Sequence, residues 1–308
     1  MKIAFLFSGQ GAQYPGMMHD LYQEEPVVKD VFDKADTALG RSISDLCFKG
    51  TQEDLNLTHN TQPCVLAADL ATSELLRAKG IVPEAVAGFS LGEYAALTFA
   101  GVIPQDNVFP MVQVRADSMQ EAVPAGQGAM AALIGKDSVQ AAEICGLVKS
   151  GYVIPANYNS PVQTVISGES AAVDEAVSLA EERGITCMKL AVSAPFHCEM
   201  MKPAADKLAE LFKNKVFSNP VIPVYMNVDG MPVTEGDKVA DLLVRQAMSP
   251  VQWVKTLQNM QEAGIDTFIE CGPGRTLSGL VKKTLTGVNI YRVENLKTLN
   301  ATLEALIK

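Results

Sequence analysis

A serine flanked by glycines is the residue in this sequence with the clearest capacity for chemistry. The segment Gly88–Gly92, which reads GFSLG, matches the pattern G-x-S-x-G, in which a sharp strand-to-helix turn presents a nucleophilic serine. The apolar run Ala85–Ala87 precedes it and a helical pattern over Glu93–Ala100 follows, as this turn requires. A helix N-terminus behind Ser90 would favour negative charge developing nearby. An ordinary glycine-rich turn has the same local pattern, so Ser90 also needs a base.

The sequence offers three histidines as that base. His19 and His59 lie in polar surroundings, which indicates surface positions. His197 ends the segment Ala194–His197, where the chain is expected to leave a small inserted unit and re-enter the main lobe, facing the cleft. A histidine at such a place is more often structural, but paired with Ser90 it is the leading candidate for the general base.

An arginine lies on an apolar helical stripe. From Asp106, taken as the N-cap, to Pro124, apolar residues recur at helical spacing, and Arg115 falls on the stripe. A guanidinium on a buried face must be paired. On the pattern alone, an internal ion pair or extension of the side chain to the surface is favoured. If the Arg115 head group instead faces the Ser90 cleft, an anionic substrate becomes its partner, since a planar guanidinium suits a carboxylate.

Patterns for other chemistries are incomplete. Gly9 and Gly11 lack the third glycine of a dinucleotide-binding loop, and Tyr14 stands in its place. The sequence has no phosphate-binding loop and no histidine, cysteine and aspartate cluster at metal-ligand spacing. We therefore expect neither a metal nor a cofactor. The turn Gly272–Arg275 either lines the cleft or only reverses the chain.

Short apolar runs separated by helical patterns predict the scaffold that holds these residues. They occur at Ile3–Phe7, Ala85–Ala87, Val221–Met226 and Thr267–Glu270. Buried strands that alternate with helices indicate an α/β fold with a mostly parallel sheet covered on both faces.

The middle of the chain has a different pattern, which indicates a second unit. Its predicted elements are the strand Ala129–Ile134, the helix Asp137–Val148, the strands Tyr152–Asn157 and Gln163–Ser167, the helix Ala171–Arg183 and the strand Cys187–Val192. The order βαββαβ is the ferredoxin-like pattern. We predict a small domain at residues 127–193, inserted into a main lobe formed by residues 1–126 and 194–308. The cleft between the two lobes is where we expect the site.

Composition sets the class of protein. The 308 residues are 48% hydrophobic and 19% charged, which permits a large buried core and about two domains. A net charge of −10 disfavours nucleic-acid binding. We see neither a signal peptide nor a membrane span, and the six dispersed cysteines indicate reduced thiols. We expect a cytoplasmic protein that binds neither membranes nor nucleic acids.

Six separated segments carry recognisable motifs along the whole chain: Phe7–Gln13, Gly88–Tyr94, Ala156–Gly168, Ala194–His197, Pro250–Trp253 and Glu270–Gly274. Together they resemble the malonyl-CoA:acyl carrier protein transacylases of fatty-acid synthesis. The resemblance implies an α/β-hydrolase-like lobe that carries a ferredoxin-like insert.

The resemblance also implies a mechanism. Ser90 is the nucleophile, His197 the general base, and Arg115 the group that binds the free malonyl carboxylate. Malonyl-CoA acylates Ser90, and the phosphopantetheine thiol of an acyl carrier protein then takes the malonyl group, which makes the kinetics ping-pong.

The resemblance also implies roles for four further residues. The backbone N–H groups of Gln10 and Leu91 are expected to form the oxyanion hole, and the main-chain carbonyl of Gln252 to orient the His197 ring. Phe196 and Leu91 resemble the malonyl-selective members. Phe89 departs from the family, which often has histidine before the nucleophile, so an auxiliary role for that histidine does not carry over.

The implied partners are anionic, as is this chain. Binding malonyl-CoA and the carrier protein therefore needs a basic rim around the cleft. We expect the carrier protein to bind transiently and the enzyme to be a monomer. The candidates for the rim are Lys189, Lys202, Arg275, Lys282 and Lys283. Taken singly, each of them is better explained as a solvated surface residue.

Other functions share parts of this pattern. A serine esterase or thioesterase has the same turn, but normally places an acid between serine and histidine and gives Arg115 no purpose. A discrete acyltransferase or an editing hydrolase of a polyketide pathway is a second enzyme hypothesis, and Arg115 disfavours the editing type. A non-enzymatic scaffold that docks carrier proteins would not need Ser90, His197 and Arg115 together.

Overall fold

The computed structural model describes residues 1–135, 140–192 and 194–307. The strands of this part of the chain are β1 (Ile3–Phe7), β2 (Ala85–Gly88), β3 (Gly128–Ile134), β4 (Val153–Ser160), β5 (Gln163–Glu169), β6 (Thr186–Lys189), β7 (Val224–Tyr225), β8 (Pro232–Val233), β9 (Thr267–Cys271) and β10 (Asn289–Val293).

The helices precede, separate and follow these strands. They are α1 (His19–Glu24), α2 (Pro26–Leu39), α3 (Ile43–Lys49), α4 (Gln52–Asn56), α5 (Thr58–Ala78), α6 (Gly92–Phe99), α7 (Gln105–Glu121), α8 (Ala141–Leu147), α9 (Ser170–Glu182), α10 (Lys202–Phe212), α11 (Val239–Met248), α12 (Trp253–Glu262), α13 (Thr276–Thr284) and α14 (Leu296–Leu306).

The larger sheet has the strand order β10-β9-β1-β2-β7-β8, and its pairs are parallel except for β7 with β8. Strand β1 lies in the middle and every one of its residues is buried, which explains its continuous apolar sequence. The predicted α/β class with a mostly parallel sheet is confirmed. The strand expected at Val221–Met226 is shorter, because Pro223 precedes the two paired residues and has no N–H to donate.

The smaller sheet is antiparallel, with the strand order β4-β5-β3-β6, and α8 and α9 pack against it. The chain order βαββαβ together with this strand order is the ferredoxin-like arrangement, as predicted. Asp137, where we expected the first helix of this unit to begin, and Ser193, at the predicted boundary, lie outside the described residues. The domain bounds 127–193 stay a prediction.

Helix α7, which carries Arg115, begins one residue before Asp106, and its N-cap is Pro104. The expectation that Asp106 is the N-cap is therefore wrong. The fixed φ of Pro104 suits the start of a helix, and the Asp106 carboxylate lies in the first turn, where the helix dipole favours negative charge. The helix ends at Glu121, before the predicted limit at Pro124.

The main core lies between the larger sheet and its helices. Helix α5 is buried along most of its 21 residues, because α2, α3, α4, α6 and α7 all contact it. The six cysteines are free thiols, as expected, and Cys187 alone among them is not buried. In the described part of the chain, no helix is both long and apolar enough to cross a bilayer.

Candidate active site

Ser90 lies in a tight turn between β2 and α6. Its φ is +53°, a left-handed conformation that costs a non-glycine residue roughly 1–3 kcal/mol. The turn closes tightly, since a Cβ on Gly88 would lie 1.9 Å from the Gly92 carbonyl and one on Gly92 would lie 2.4 Å from the Phe7 oxygen. The two glycines of the motif are therefore required sterically. The turn has the geometry predicted for a nucleophile elbow.

The structure brings His197 into contact with this serine. The Ser90 Oγ lies 2.7 Å from His197 Nε2, and His197 Nδ1 lies 2.9 Å from the main-chain oxygen of Gln246. Because a carbonyl oxygen only accepts, Nδ1 carries the ring proton and Nε2 is free to accept the hydroxyl proton. The other two histidines lie elsewhere: His19 is exposed and His59 is half-buried.

The expectation for Gln252 is wrong, because the carbonyl that orients His197 belongs to Gln246, near the end of α11. The carbonyl of Gln252 instead accepts the N–H of Thr256 in the first turn of α12. A main-chain carbonyl can belong to any residue type, so no side chain in the sequence marked the correct position.

Arg115 is almost fully buried and its head group reaches the nucleophile. Its Nη2 donates to Ser90 Oγ at 3.1 Å and to Gln246 Oε1 at 2.9 Å, and its Nη1 donates to Gln62 Oε1 at 2.7 Å. Within the described residues no carboxylate forms an ion pair with it. Neither the internal ion pair nor the extended surface conformation is present, and the groups that accept its hydrogen bonds are all neutral.

Burial and this charge set the protonation of His197. Burial lowers the pKa of His197 from 6.5 to about 4, and the nearby Arg115 guanidinium adds to the decrease. The imidazole is therefore neutral at physiological pH. A neutral ring with a free Nε2 is the form that can accept a proton from Ser90.

Two backbone amides near Ser90 remain available. Gln10, in the loop after β1, and Leu91, at the N-cap of α6, both line the cavity in front of Ser90. Among the backbone hydrogen bonds of the described chain, neither N–H has an acceptor. Free amides beside a nucleophile can bind a developing oxyanion.

The cavity has a volume of about 370 Å³ and lies between the two sheets. The larger sheet and its helices contribute Ser90, Arg115 and Leu280, whereas β3 and β4 contribute Met130 and Asn157. The site is therefore in the cleft between the two units, where we predicted it.

The basic residues expected at the rim fall into two groups. Lys189 pairs with Asp174 at 2.6 Å and Lys202 with Asp206 at 2.7 Å, so both charges are compensated. The other three are exposed and have no ion pair in the part of the chain that the structure describes: Arg275, Lys282 and Lys283. They lie on or next to α13, which also lines the cavity.

Sequence reasoning missed three carboxamide side chains. Gln62, Asn227 and Gln246 are all buried and contact Arg115 or the Ser90 backbone. A buried amide has no distinctive spacing, although Gln62 lies on a helix whose neighbouring residues are almost entirely buried. That position is the one signal that could have identified it.

Comparison with known proteins identifies the family. The model of the acyl transferase domain family matches residues 4–301. The chain belongs to this family. The acyl transferase is 42% identical to the malonyl CoA-acyl carrier protein transacylase of Haemophilus influenzae, over 99% of both chains.

Solved structures resemble the acyl transferase along nearly its whole length. An acyl carrier protein S-malonyltransferase from Vibrio cholerae superposes with a TM-score of 0.94 at 41% identity, covering 98% of this chain and 100% of that one. A malonyl-transacylase in complex with its type II PKS acyl-carrier protein superposes with a TM-score of 0.96 at 40% identity, covering 99% and 100%. The acyl transferase thus has the two-lobe fold of these proteins.

Proposed function

We propose that this acyl transferase moves a malonyl group from malonyl-CoA to the phosphopantetheine thiol of an acyl carrier protein through a malonyl ester of Ser90. The observation that carries the proposal is the buried Arg115 guanidinium, which has no carboxylate partner in the described chain and lies 3.1 Å from Ser90 Oγ. An acyl group on that oxygen with a carboxylate at its far end would meet this buried positive charge. The names of the relatives support the same substrate and acceptor.

The first half-reaction acylates the serine. His197 Nε2 takes the hydroxyl proton while Ser90 Oγ attacks the thioester carbonyl. The resulting tetrahedral oxyanion accepts hydrogen bonds from the N–H groups of Gln10 and Leu91. One such donor is typically worth about 3 kcal/mol of activation free energy. The C–S bond then breaks, and the proton on His197 passes to the coenzyme A thiolate.

The second half-reaction reverses these roles. The phosphopantetheine thiol gives its proton to His197 and attacks the Ser90 ester. The ester C–O bond breaks, and Ser90 regains its proton from His197. Because coenzyme A leaves before the carrier thiol binds, the kinetics are ping-pong.

Arg115 supplies the selectivity for malonyl in this scheme. Its guanidinium is held by Gln62 and Gln246, so binding a carboxylate requires little reorganisation. An acetyl group would leave that buried charge without an anion, which is unfavourable. Donor selectivity thus comes from pairing a charge that the fold has already buried.

We also infer the cofactor requirement, domain organisation, oligomeric state and location of the enzyme. The proposed steps use only side chains and backbone amides of this chain, so they need neither a metal nor a cofactor. We further propose that residues 127–193 form an inserted domain, that the protein acts as a monomer in the cytoplasm, and that Arg275, Lys282 and Lys283 attract its anionic substrates.

A carrier protein of polyketide synthesis is a second candidate acceptor. The solved complex contains a type II PKS acyl-carrier protein, and the sequence left open whether the carrier belongs to fatty-acid or polyketide synthesis. A hydrolase is less well supported, because the His197 Nδ1 is held by a carbonyl and the site holds a buried cation.

Steady-state kinetics test the proposal. Initial rates with malonyl-CoA and either type of holo carrier protein, measured against both concentrations, should give parallel double-reciprocal lines. Malonyl transfer should exceed hydrolysis to free malonate at least tenfold. Intersecting lines, or hydrolysis that is unaffected by the carrier thiol, would contradict the transferase. The ratio of kcat/KM for the two carriers decides which acceptor is used.

A further inference from the structure

Asn227, just beyond β7, makes two hydrogen bonds to the turn that holds the nucleophile. Its side-chain oxygen accepts the Ser90 N–H at 2.7 Å, and its side-chain nitrogen donates to the Gly88 carbonyl at 2.7 Å. Asn227 itself is 1% exposed. One buried carboxamide therefore connects the last residue of β2 to the strained serine.

The backbone of Asn227 is also fixed on both sides. Its N–H donates to Glu93 Oε2 at 2.6 Å, and its carbonyl accepts the N–H of Gln252 at 2.8 Å. Glu93 is fully buried in the first turn of α6 and forms no ion pair in the described chain. Burial raises the pKa of Glu93 to about 8, and its Oε1 has no hydrogen-bond partner. The Glu93 carboxyl thus holds the Asn227 backbone, and it also interacts with the Gln246 side chain and the Arg115 guanidinium.

These contacts determine which amide of the turn stays free. The N–H groups of Phe89 and Gly92 donate to main-chain carbonyls, and that of Ser90 donates to Asn227. The Leu91 N–H alone among the four has no acceptor in the described chain and borders the cavity. Because Ser90 has a left-handed φ, its peptide planes keep this orientation only while surrounding contacts enforce it.

We propose that Asn227, held in place by Glu93, is a positioning residue for the acyl transfer. It acts through Ser90: it fixes the peptide between Phe89 and Ser90, and with it the direction of the Ser90 hydroxyl, while Gln246 Nε2 holds the carbonyl of the next peptide, which carries the Leu91 N–H. The inference rests on the proposed role of Ser90 as nucleophile, but not on the identity of the acyl group.

The experiment measures the reactivity of Ser90 independently of the acyl donor. Phenylmethanesulfonyl fluoride forms a sulfonyl ester with a nucleophilic serine as fluoride leaves and the base takes the proton, and intact mass records the adduct. Asn227→Asp removes the donor to Gly88, and Asn227→Leu removes both contacts. We expect each variant to be labelled about 100-fold more slowly, the effect of displacing a reacting group by about 1 Å.

The same variants separate positioning from folding. With malonyl-CoA we expect kcat to fall by a similar factor and KM to stay within threefold, whereas a merely structural residue would lower only the melting temperature. The matched control is Asn259→Asp, which also removes a carboxamide donor from a main-chain carbonyl, that of Gly230, outside the site. The control should react within threefold of the wild type.

A second pair of variants keeps the test decisive if Asn227 variants do not fold. Glu93→Gln retains an acceptor for the Asn227 N–H, so this variant should be labelled within threefold of the wild-type rate. Glu93→Leu removes the acceptor and should be labelled at least tenfold more slowly. Folded Asn227 or Glu93→Leu variants that are labelled at the wild-type rate would overturn the proposal. A wild-type enzyme that is labelled by the sulfonyl fluoride but not by malonyl-CoA would instead overturn the proposed function.

Discussion

The Nη2 atom of Arg115 lies 3.1 Å from the Oγ of Ser90, so the buried cation and the nucleophile are in direct contact. Ser90 lies in the turn between β2 and α6, and Arg115 lies on α7. His197 completes the group, because its Nε2 lies 2.7 Å from the same oxygen. A single small acyl unit can therefore touch all three side chains.

Removal of the Arg115 side chain should change donor selectivity. Arg115→Ala leaves the malonyl carboxylate unpaired in a buried site, so we expect kcat/KM for malonyl-CoA to fall roughly 100-fold, since removing one partner of a buried charge pair costs about 2–5 kcal/mol. The value for acetyl-CoA should change less than tenfold. The control Arg183→Ala removes an arginine that pairs with Glu143 on the surface, and should alter neither value. Full malonyl selectivity in Arg115→Ala would refute the role of Arg115.

The pH dependence should reflect the lowered pKa of His197. Because only the neutral imidazole accepts a proton, kcat/KM should stay level from pH 7 to pH 5 and fall as the pH passes through about 4. In Arg115→Ala, assayed with acetyl-CoA, this acidic limb should shift to higher pH, because a positive neighbour is gone. A limb centred near pH 6.5 in the wild type would contradict the assignment.

The folded protein should also lose stability as the pH falls below about 6.5, where only the unfolded chain protonates this histidine.

The glycines of the turn should tolerate no side chain. Gly88→Ala places a Cβ 1.9 Å from the Gly92 carbonyl, so we expect the free energy of unfolding to fall by about 3 kcal/mol or more. The matched control is Gly279→Ala in α13, where a Cβ meets no atom within 4 Å. That substitution should stabilise the protein by roughly 0.5–1 kcal/mol. Equal effects in urea denaturation would show that the turn is not closed as described.

Substitutions of Gln246 and Gln252 should differ in effect. Gln246→Ala keeps the main-chain contact to His197 but removes the side-chain contacts to Arg115 and to the Ser90 carbonyl, so we expect kcat/KM for malonyl-CoA to fall about 10- to 100-fold. Gln252→Ala should stay within threefold of the wild type. The reverse order would mean that the Gln246 side chain does not hold Arg115 and the Ser90 carbonyl in place.

Those parts of the site that depend on local constraints could be predicted from the sequence. Two glycines around Ser90 mark the turn because only they fit it, and Arg115 was noticeable because a cation on an apolar stripe conflicts with its surroundings. The partner of Arg115 could not be deduced, since Gln62 and Gln246 are neutral amides distant in sequence.

In the fold, too, some elements could be predicted from the sequence and others could not. The strand at Ile3–Phe7 is buried on both faces and was predicted with its observed bounds, whereas β10 at Asn289–Val293 was missed. That strand lies at the edge of the sheet and is only partly buried, so polar residues interrupt its apolar pattern. Which elements pack at the edge depends on contacts distant in the chain.

Intact-mass analysis after incubation with malonyl-CoA tests the central claim most directly. We predict that the wild-type chain gains one malonyl group, that peptide mapping places it on Ser90, that a pantetheine thiol removes it, and that Ser90→Ala gains nothing. Acetyl-CoA should give little adduct under the same conditions. A malonyl adduct on another residue, or transfer that persists in Ser90→Ala, would contradict the account.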